Sequence, residues 1–208
     1  MYCIGNIVCV NARYKIDILK NIIINLLRFG PLIIGMYIGY LYKDKWSEEY
    51  YVNLKKPKYN PPNYVFSIVW PILYLLIGFI YAYSLYDTKC ISTKLSKCGI
   101  SVLFKDFKYW IIPLIALIFN FIYTPVFFAE NGLLNGLLNG FIVIIFALVF
   151  AILTLIQFIM QKTYGPCGTI CPILALGPYI AWLCFATYLA YNIYKLNNEK
   201  VVIKNKNI

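Results

Sequence analysis

From Val65 to Tyr86 the chain runs through 22 positions without one charged side chain. A helix needs about 20 mostly apolar residues to cross the hydrocarbon of a bilayer. Four further runs meet that demand: Ile22–Tyr42, with Arg28 near its entry, then Ile111–Phe128, Leu133–Met160 and Cys171–Tyr194. The pattern predicts an all-α, integral membrane, five-transmembrane-helix bundle. Its expected bounds are 22–195, with an N-terminal extension at 1–21 and a basic polar tail at 196–208. Arginine and lysine divide almost evenly between the two faces this topology defines, so charge assigns no orientation.

Composition agrees. The chain is 62% hydrophobic and 13% charged, where a soluble domain carries about a quarter charged residues. Its net charge of +11 comes from lysines between the apolar runs, where they meet anionic headgroups. A lipid bilayer is therefore the expected partner, and nucleic acid is not. Spans two to five hold no charge, which counts against ion or proton transport. The chain has no histidine, which removes histidine-based acid–base pairs and triads. No paired carboxylates or nucleophile elbow replace them, so no enzyme and no catalytic residue is expected. The seven cysteines contain no CxxC pair. Without histidine they complete no zinc site, so no metal is expected and the cysteines read as reduced or lipid-buried thiols. No cleavage pattern follows Arg13, Lys15 and Lys20, so no signal peptide is expected.

Three stretches hold residues that a plain membrane helix would not need. The first is KKPKYNPPNYVFSIVW, Lys55–Trp70. Prolines 57, 61 and 62 fix the backbone and interleave with Tyr59 and Tyr64, as in a rigid aromatic lid. Lys55, Lys56 and Lys58 beside it could meet acidic groups of a ligand at a pocket mouth, or lipid headgroups. The second is NFIYTPVFF, Asn120–Phe128. An asparagine at Asn120 needs a partner in lipid, whether another helix, a water or a ligand, and Tyr123 shares its face. The third is PYIAWLCFATYL, Pro178–Leu189, where Trp182, Phe185, Ala186 and Leu189 fall at helical spacing.

Together these stretches resemble the translocator protein family, also called the tryptophan-rich sensory or peripheral benzodiazepine receptor family. Leu54, Lys56, Pro57, Pro61, Pro62, Val69, Trp70, Leu73, Tyr74 and Gly78 match its first signature in register. The resemblance runs from about Phe29 to Lys195. There are departures. Tyr59 and Tyr123 stand where the family usually has tryptophan, Ala190 stands where it has asparagine, and two connections are longer. The resemblance implies a five-helix bundle whose cavity is closed by the first connection. It implies binding of porphyrins, sterols and aromatic drug-like ligands, with a transport or sensing role. No cofactor is required, and porphyrin or haem would be a ligand held by its ring faces. By correspondence the ligand-binding residues would be Tyr59, Phe66, Val69, Trp70, Asn120, Tyr123, Leu138, Ala186 and Leu189. The alternatives are a tetrapyrrole-modifying enzyme, or an assembly protein acting through helix faces. Leu189, Tyr191 and Lys195 also fit a loose sterol pattern. A mitochondrial outer membrane is the expected location.

The stretch NGLLNGLLNG, Asn131–Gly140, sets two stripes along one helix, because residues four apart share a face. Gly132, Gly136 and Gly140 make a double GxxxG face suited to close packing within the fold or across a homodimer. Gly35 and Gly39 offer a counterpart in the first helix. Asn135 and Asn139 are expected to turn toward the bundle interior.

Overall fold

Each apolar run forms one helix in the computed structural model, which describes residues 6–85, 107–129, 133–161 and 169–206. The helices are α1 (Asn6–Leu41), the short α2 (Glu49–Val52), α3 (Asn63–Leu85), α4 (Ile111–Phe127), α5 (Leu133–Met160) and α6 (Ile170–Lys206). Segments Asn21–Leu41, Asn63–Ser84, Gly136–Met160 and Ile170–Asn198 are long and apolar enough to span. The 17-residue α4 is shorter, about 26 Å at 1.5 Å per residue. Helices α1 and α6 run past the expected limits of the bundle. α1 begins within residues 1–21, and α6 continues through most of 196–208. Arg28 therefore lies inside a long helix, with its guanidinium 5.6 Å from the centre of the Phe79 ring.

The helices pack in a ring in which α1 lies on α3, α3 on α6, α6 on α5 and α5 on α4, while α1 and α4 touch only lightly. The main core lies where α3, α5 and α6 meet, around Ile77, Ile144, Ala147, Leu176, Tyr179 and Leu183. One end of the bundle is tied shut. The Tyr81 hydroxyl donates to the Pro113 carbonyl at 3.2 Å, and Gln157 Nε2 donates to the Tyr109 carbonyl at 2.7 Å. The Tyr81 and Phe158 rings meet edge to face at 5.5 Å. The thin α1–α4 seam leaves room at the other end.

Close approach of neighbouring helices explains three glycines. A Cβ on Gly78 would run into the Arg28 carbonyl, with Leu27 O at 3.2 Å, so α1 can lie on α3 only because that side chain is missing. On α5, a Cβ on Gly136 would come within 3.1 Å of Phe127 O, and one on Gly140 within 3.2 Å of Phe127 Cδ2. Both glycines are buried, and the stripe is used inside the chain, against the end of α4. Gly35 does not pair with it, because its Cβ position is filled by the Tyr74 ring. Gly39 meets nothing within 4 Å. Gly132 lies outside the described residues. Gly136→Leu is expected to cost about 1–3 kcal/mol through overpacking, and to lower thermal stability without changing oligomeric state. Light scattering of the purified protein, beside its melting curve, checks both.

Two expectations change. Asn139 is exposed on the outer face of α5 and does not turn inward. The inner face is the row Leu137, Gly140, Ile144, Ala147 and Ala151, and at 100° per residue Asn139 falls away from it. The side chain of Asn135 lies outside the described residues. Cys171 is disulfide-bonded, so the cysteines are not all thiols, whereas Cys184 is a free, exposed thiol.

Candidate functional site

The connection between α1 and α3 builds a lid from short, self-paired pieces. A 3-10 turn, Asp44–Trp46, follows α1, and the Ser47 hydroxyl closes it by donating to Asp44 O at 2.8 Å. The one-turn helix α2 comes next, and then a turn in which the Asn60 N–H donates to Pro57 O at 2.9 Å. Tyr51 and Leu54 are buried and seat this lid on Phe127, Phe128, Leu137 and Ile193. Trp46 packs at 5.1 Å on Phe128 and 5.9 Å on Phe66. The rings that close the site are thus Trp46 and Tyr51, while Tyr59 is 74% exposed.

Asn197 anchors the lid. Its Oδ1 accepts the Lys55 backbone N–H at 3.0 Å, and its Nδ2 donates to the Lys55 carbonyl at 3.0 Å. The same Nδ2 donates to Ile193 O at 2.7 Å. One buried side chain thereby satisfies both backbone groups of a loop residue 142 positions away.

Under the lid lies a cavity of about 500 Å³. Its wall comes from α1, α3, α4, α6 and the lid, with no described residue of α5. Aromatic rings dominate: Trp46, Tyr51, Phe66, Trp70, Tyr74, Phe121 and Tyr123 all face it. Trp70 stacks on Tyr74 at 5.4 Å, and Tyr123 lies 5.7 Å from Phe127.

At the inner wall both polar side-chain atoms of Asn120 are hydrogen-bonded. The Tyr74 hydroxyl donates to its Oδ1 at 2.9 Å, and its Nδ2 donates to the Tyr179 hydroxyl at 2.7 Å. This buried relay joins α3, α4 and α6. Asn120 therefore has the interhelical partners that an asparagine in lipid requires.

The residues singled out in the sequence divide in space. Phe66, Trp70, Asn120, Tyr123, Ala186 and Leu189 line the cavity. Val69 packs against the main core, Leu138 is half-buried on α5, and Tyr59 is turned out; none of these three is on the wall. Nor are Lys55, Lys56 and Lys58. The Lys56 ammonium lies 3.7 Å from the centre of the Tyr51 ring. Burial pushes the Tyr51 hydroxyl up to about 12 and lowers the Lys56 ammonium. Leu189 faces the cavity, while Tyr191 is exposed, 5.5 Å from Phe141, and Lys195 is exposed. The three do not share one surface. Sequence reasoning missed Trp46, Lys43, Tyr51 and Asn197. Tyr74 was in the matched signature, though not among the binding residues.

No group of three or more His, Cys, Asp or Glu residues that could hold a metal occurs among the described residues.

Comparison with known proteins supplies the context for this geometry. The model of the TspO/MBR family matches residues 29–196. A tryptophan-rich protein TspO from Chlorobaculum tepidum is 29% identical over 86% of this chain and 98% of its own length. A translocator protein homolog from Schizosaccharomyces pombe is 29% identical over 80% of this chain and 87% of its own. A membrane protein of Bacillus subtilis, YtaB, is 29% identical over 76% and 86%.

Proposed function

Because this chain belongs to the TspO/MBR family, we propose that it binds flat, hydrophobic ligands under the lid, and that this binding serves transport or sensing. The ligand class is a porphyrin or haem, a sterol, or a benzodiazepine- or isoquinoline-type drug. The observation that carries the reading is the cavity of about 500 Å³ walled by aromatic rings. That volume lies within the range of small-molecule sites, and a ring-lined wall suits a flat apolar body. The wall residues assigned to the ligand are Phe66, Trp70, Tyr123, Ala186 and Leu189. Asn120 holds the wall in shape through Tyr74 and Tyr179. Haem would be gripped by its faces.

Catalysis is not assigned to the site, since the wall offers no acid–base pair. The glycine stripe of α5 is already covered by α4, which favours ligand binding over assembly as the role of this chain. We further propose an outer mitochondrial membrane location. Fractionation against an outer-membrane marker tests it, and a peak in any other membrane removes it.

The test of function is titration of the purified protein in nanodiscs with protoporphyrin, a sterol and an isoquinoline-type drug. Trp46 and Trp70, two of the four tryptophans, border the cavity, so saturable fluorescence quenching is expected. Trp70→Ala should weaken porphyrin binding roughly tenfold, on the order of 1.4 kcal/mol, since it removes a stacked ring from the wall. Binding that does not saturate, or that Trp70→Ala leaves unchanged, would remove the assignment.

A further inference from the structure

We infer that Lys43 is the anion anchor of this cavity, and that the cavity selects an apolar, flat ligand ending in a carboxylate. The inference rests on the proposed ligand-binding role and adds the charge of the ligand and its orientation.

Among the described wall residues Lys43 alone is charged. It lies two positions beyond α1, where the backbone turns by donating the Lys43 N–H to Tyr40 O at 3.3 Å. Its ammonium rests over the Tyr40 ring, 4.6 Å from the centroid. That contact is weak at an exposed site and leaves the ammonium able to bind an anion. The nearby acidic groups do not take it. Glu48 pairs with Lys45 at 3.0 Å, and the neighbouring Asp44 makes no ion pair with Lys43.

The opposite end of the cavity carries no cation among its described residues. Asn120 bonds Tyr74 through its Oδ1 and Tyr179 through one N–H, and Trp70 and Phe121 beside it are neutral aromatic rings. A carboxylate pushed there would lose its hydration without gaining a cation. An amphiphile is therefore oriented one way, with its ring system inward and its acid at Lys43. The lysines of the lid do not compete. Lys55 and Lys58 are exposed and off the wall, and Lys56 lies on the Tyr51 ring.

The same cation could meet the phosphate of a lipid headgroup, so the test separates the two sources. Binding of protoporphyrin IX and of its dimethyl ester is measured by fluorescence quenching, in maltoside micelles that contain no phosphate and in phospholipid nanodiscs. The wild-type chain should prefer the acid roughly fivefold, the scale of an exposed ion pair, with the preference fading as salt rises. Lys43→Met should abolish the preference while leaving the ester bound, and Lys43→Arg should keep it. Equal effects of Lys43→Met on acid and ester overturn the inference. So does a preference that survives Lys43→Met but is lost on changing Lys55, Lys56 and Lys58 together to Gln. A preference seen in phosphate-free micelles but lost in phospholipid nanodiscs overturns it too and assigns Lys43 to lipid phosphate. If the wild-type chain binds neither compound, the ligand-binding reading falls as well. If it binds both equally, the anchor alone falls.

Discussion

Asn197→Leu is expected to release a bound porphyrin roughly tenfold faster and to expose the Lys55 amide to hydrogen exchange. The Asn197 side chain makes two bonds to the Lys55 backbone, each at 3.0 Å. Net hydrogen bonds contribute about 1 kcal/mol each, and a buried group left unpaired costs more. Leucine is close to asparagine in size, so the helix should tolerate it, while both Lys55 groups lose their partners. The lid then stays seated only by Tyr51, Leu54 and the rings around them. Loss of two such bonds is about 2 kcal/mol, enough for a tenfold or larger change in release rate. Asn197→Asp keeps the acceptor and loses the donor, so its effect should be intermediate. Displacement kinetics give the release rate, and hydrogen exchange at Lys55 reports the lid without any ligand. Unchanged exchange at Lys55 in Asn197→Leu would show that the asparagine does not hold the lid.

That latch also marks where the sequence stops being legible. Apolar runs free of charge announce the helices, because hydrocarbon tolerates little else. Phe66, Trp70 and Tyr123 could be found because the family resemblance carries them over, in motifs whose register is kept along helices. In the connection between α1 and α3 no period tells which way a side chain points. The lysines that attract notice there, Lys55, Lys56 and Lys58, stand off the wall, and the one that reaches it, Lys43, carries no mark in the sequence. Asn197 looks like one polar residue in a basic tail. Its partner is 142 residues away, and only the docking of α6 beside the lid brings them together. The asparagines of NGLLNGLLNG mislead in the opposite way. A four-residue repeat reveals that glycines and asparagines occupy separate stripes, but the choice of buried stripe belongs to α4. Phe127 closes on Gly136 and Gly140, and Asn139 is carried outward.

Asn120→Leu should destabilise the fold more than any other single change on the cavity wall. Asn120 is 5% exposed and bonded on both sides, to Tyr74 and to Tyr179. Hydrogen bonds between membrane helices are modest on average, about 0.6 kcal/mol, because chains in lipid find other partners when unfolded. The larger penalty here is what remains after the change. Tyr74 and Tyr179 are buried, at 8% and 1% residue exposure, and each orphaned hydroxyl costs about 1–3 kcal/mol. A loss of about 2 kcal/mol corresponds to roughly 4–8 °C in melting temperature for a chain of this size. This account carries its own sign test. If orphaned hydroxyls are the cause, removing them should restore stability, since replacing all partners by apolar groups is close to neutral. Adding Tyr74→Phe and Tyr179→Phe to Asn120→Leu should therefore raise the melting temperature above that of Asn120→Leu alone. In the presence of Asn120 the same two tyrosine changes should lower it. Opposite effects of one pair of substitutions in the two backgrounds would identify the relay as the element that locks α3, α4 and α6 together. Additive losses would mean that packing at Asn120, and not its hydrogen bonds, holds them.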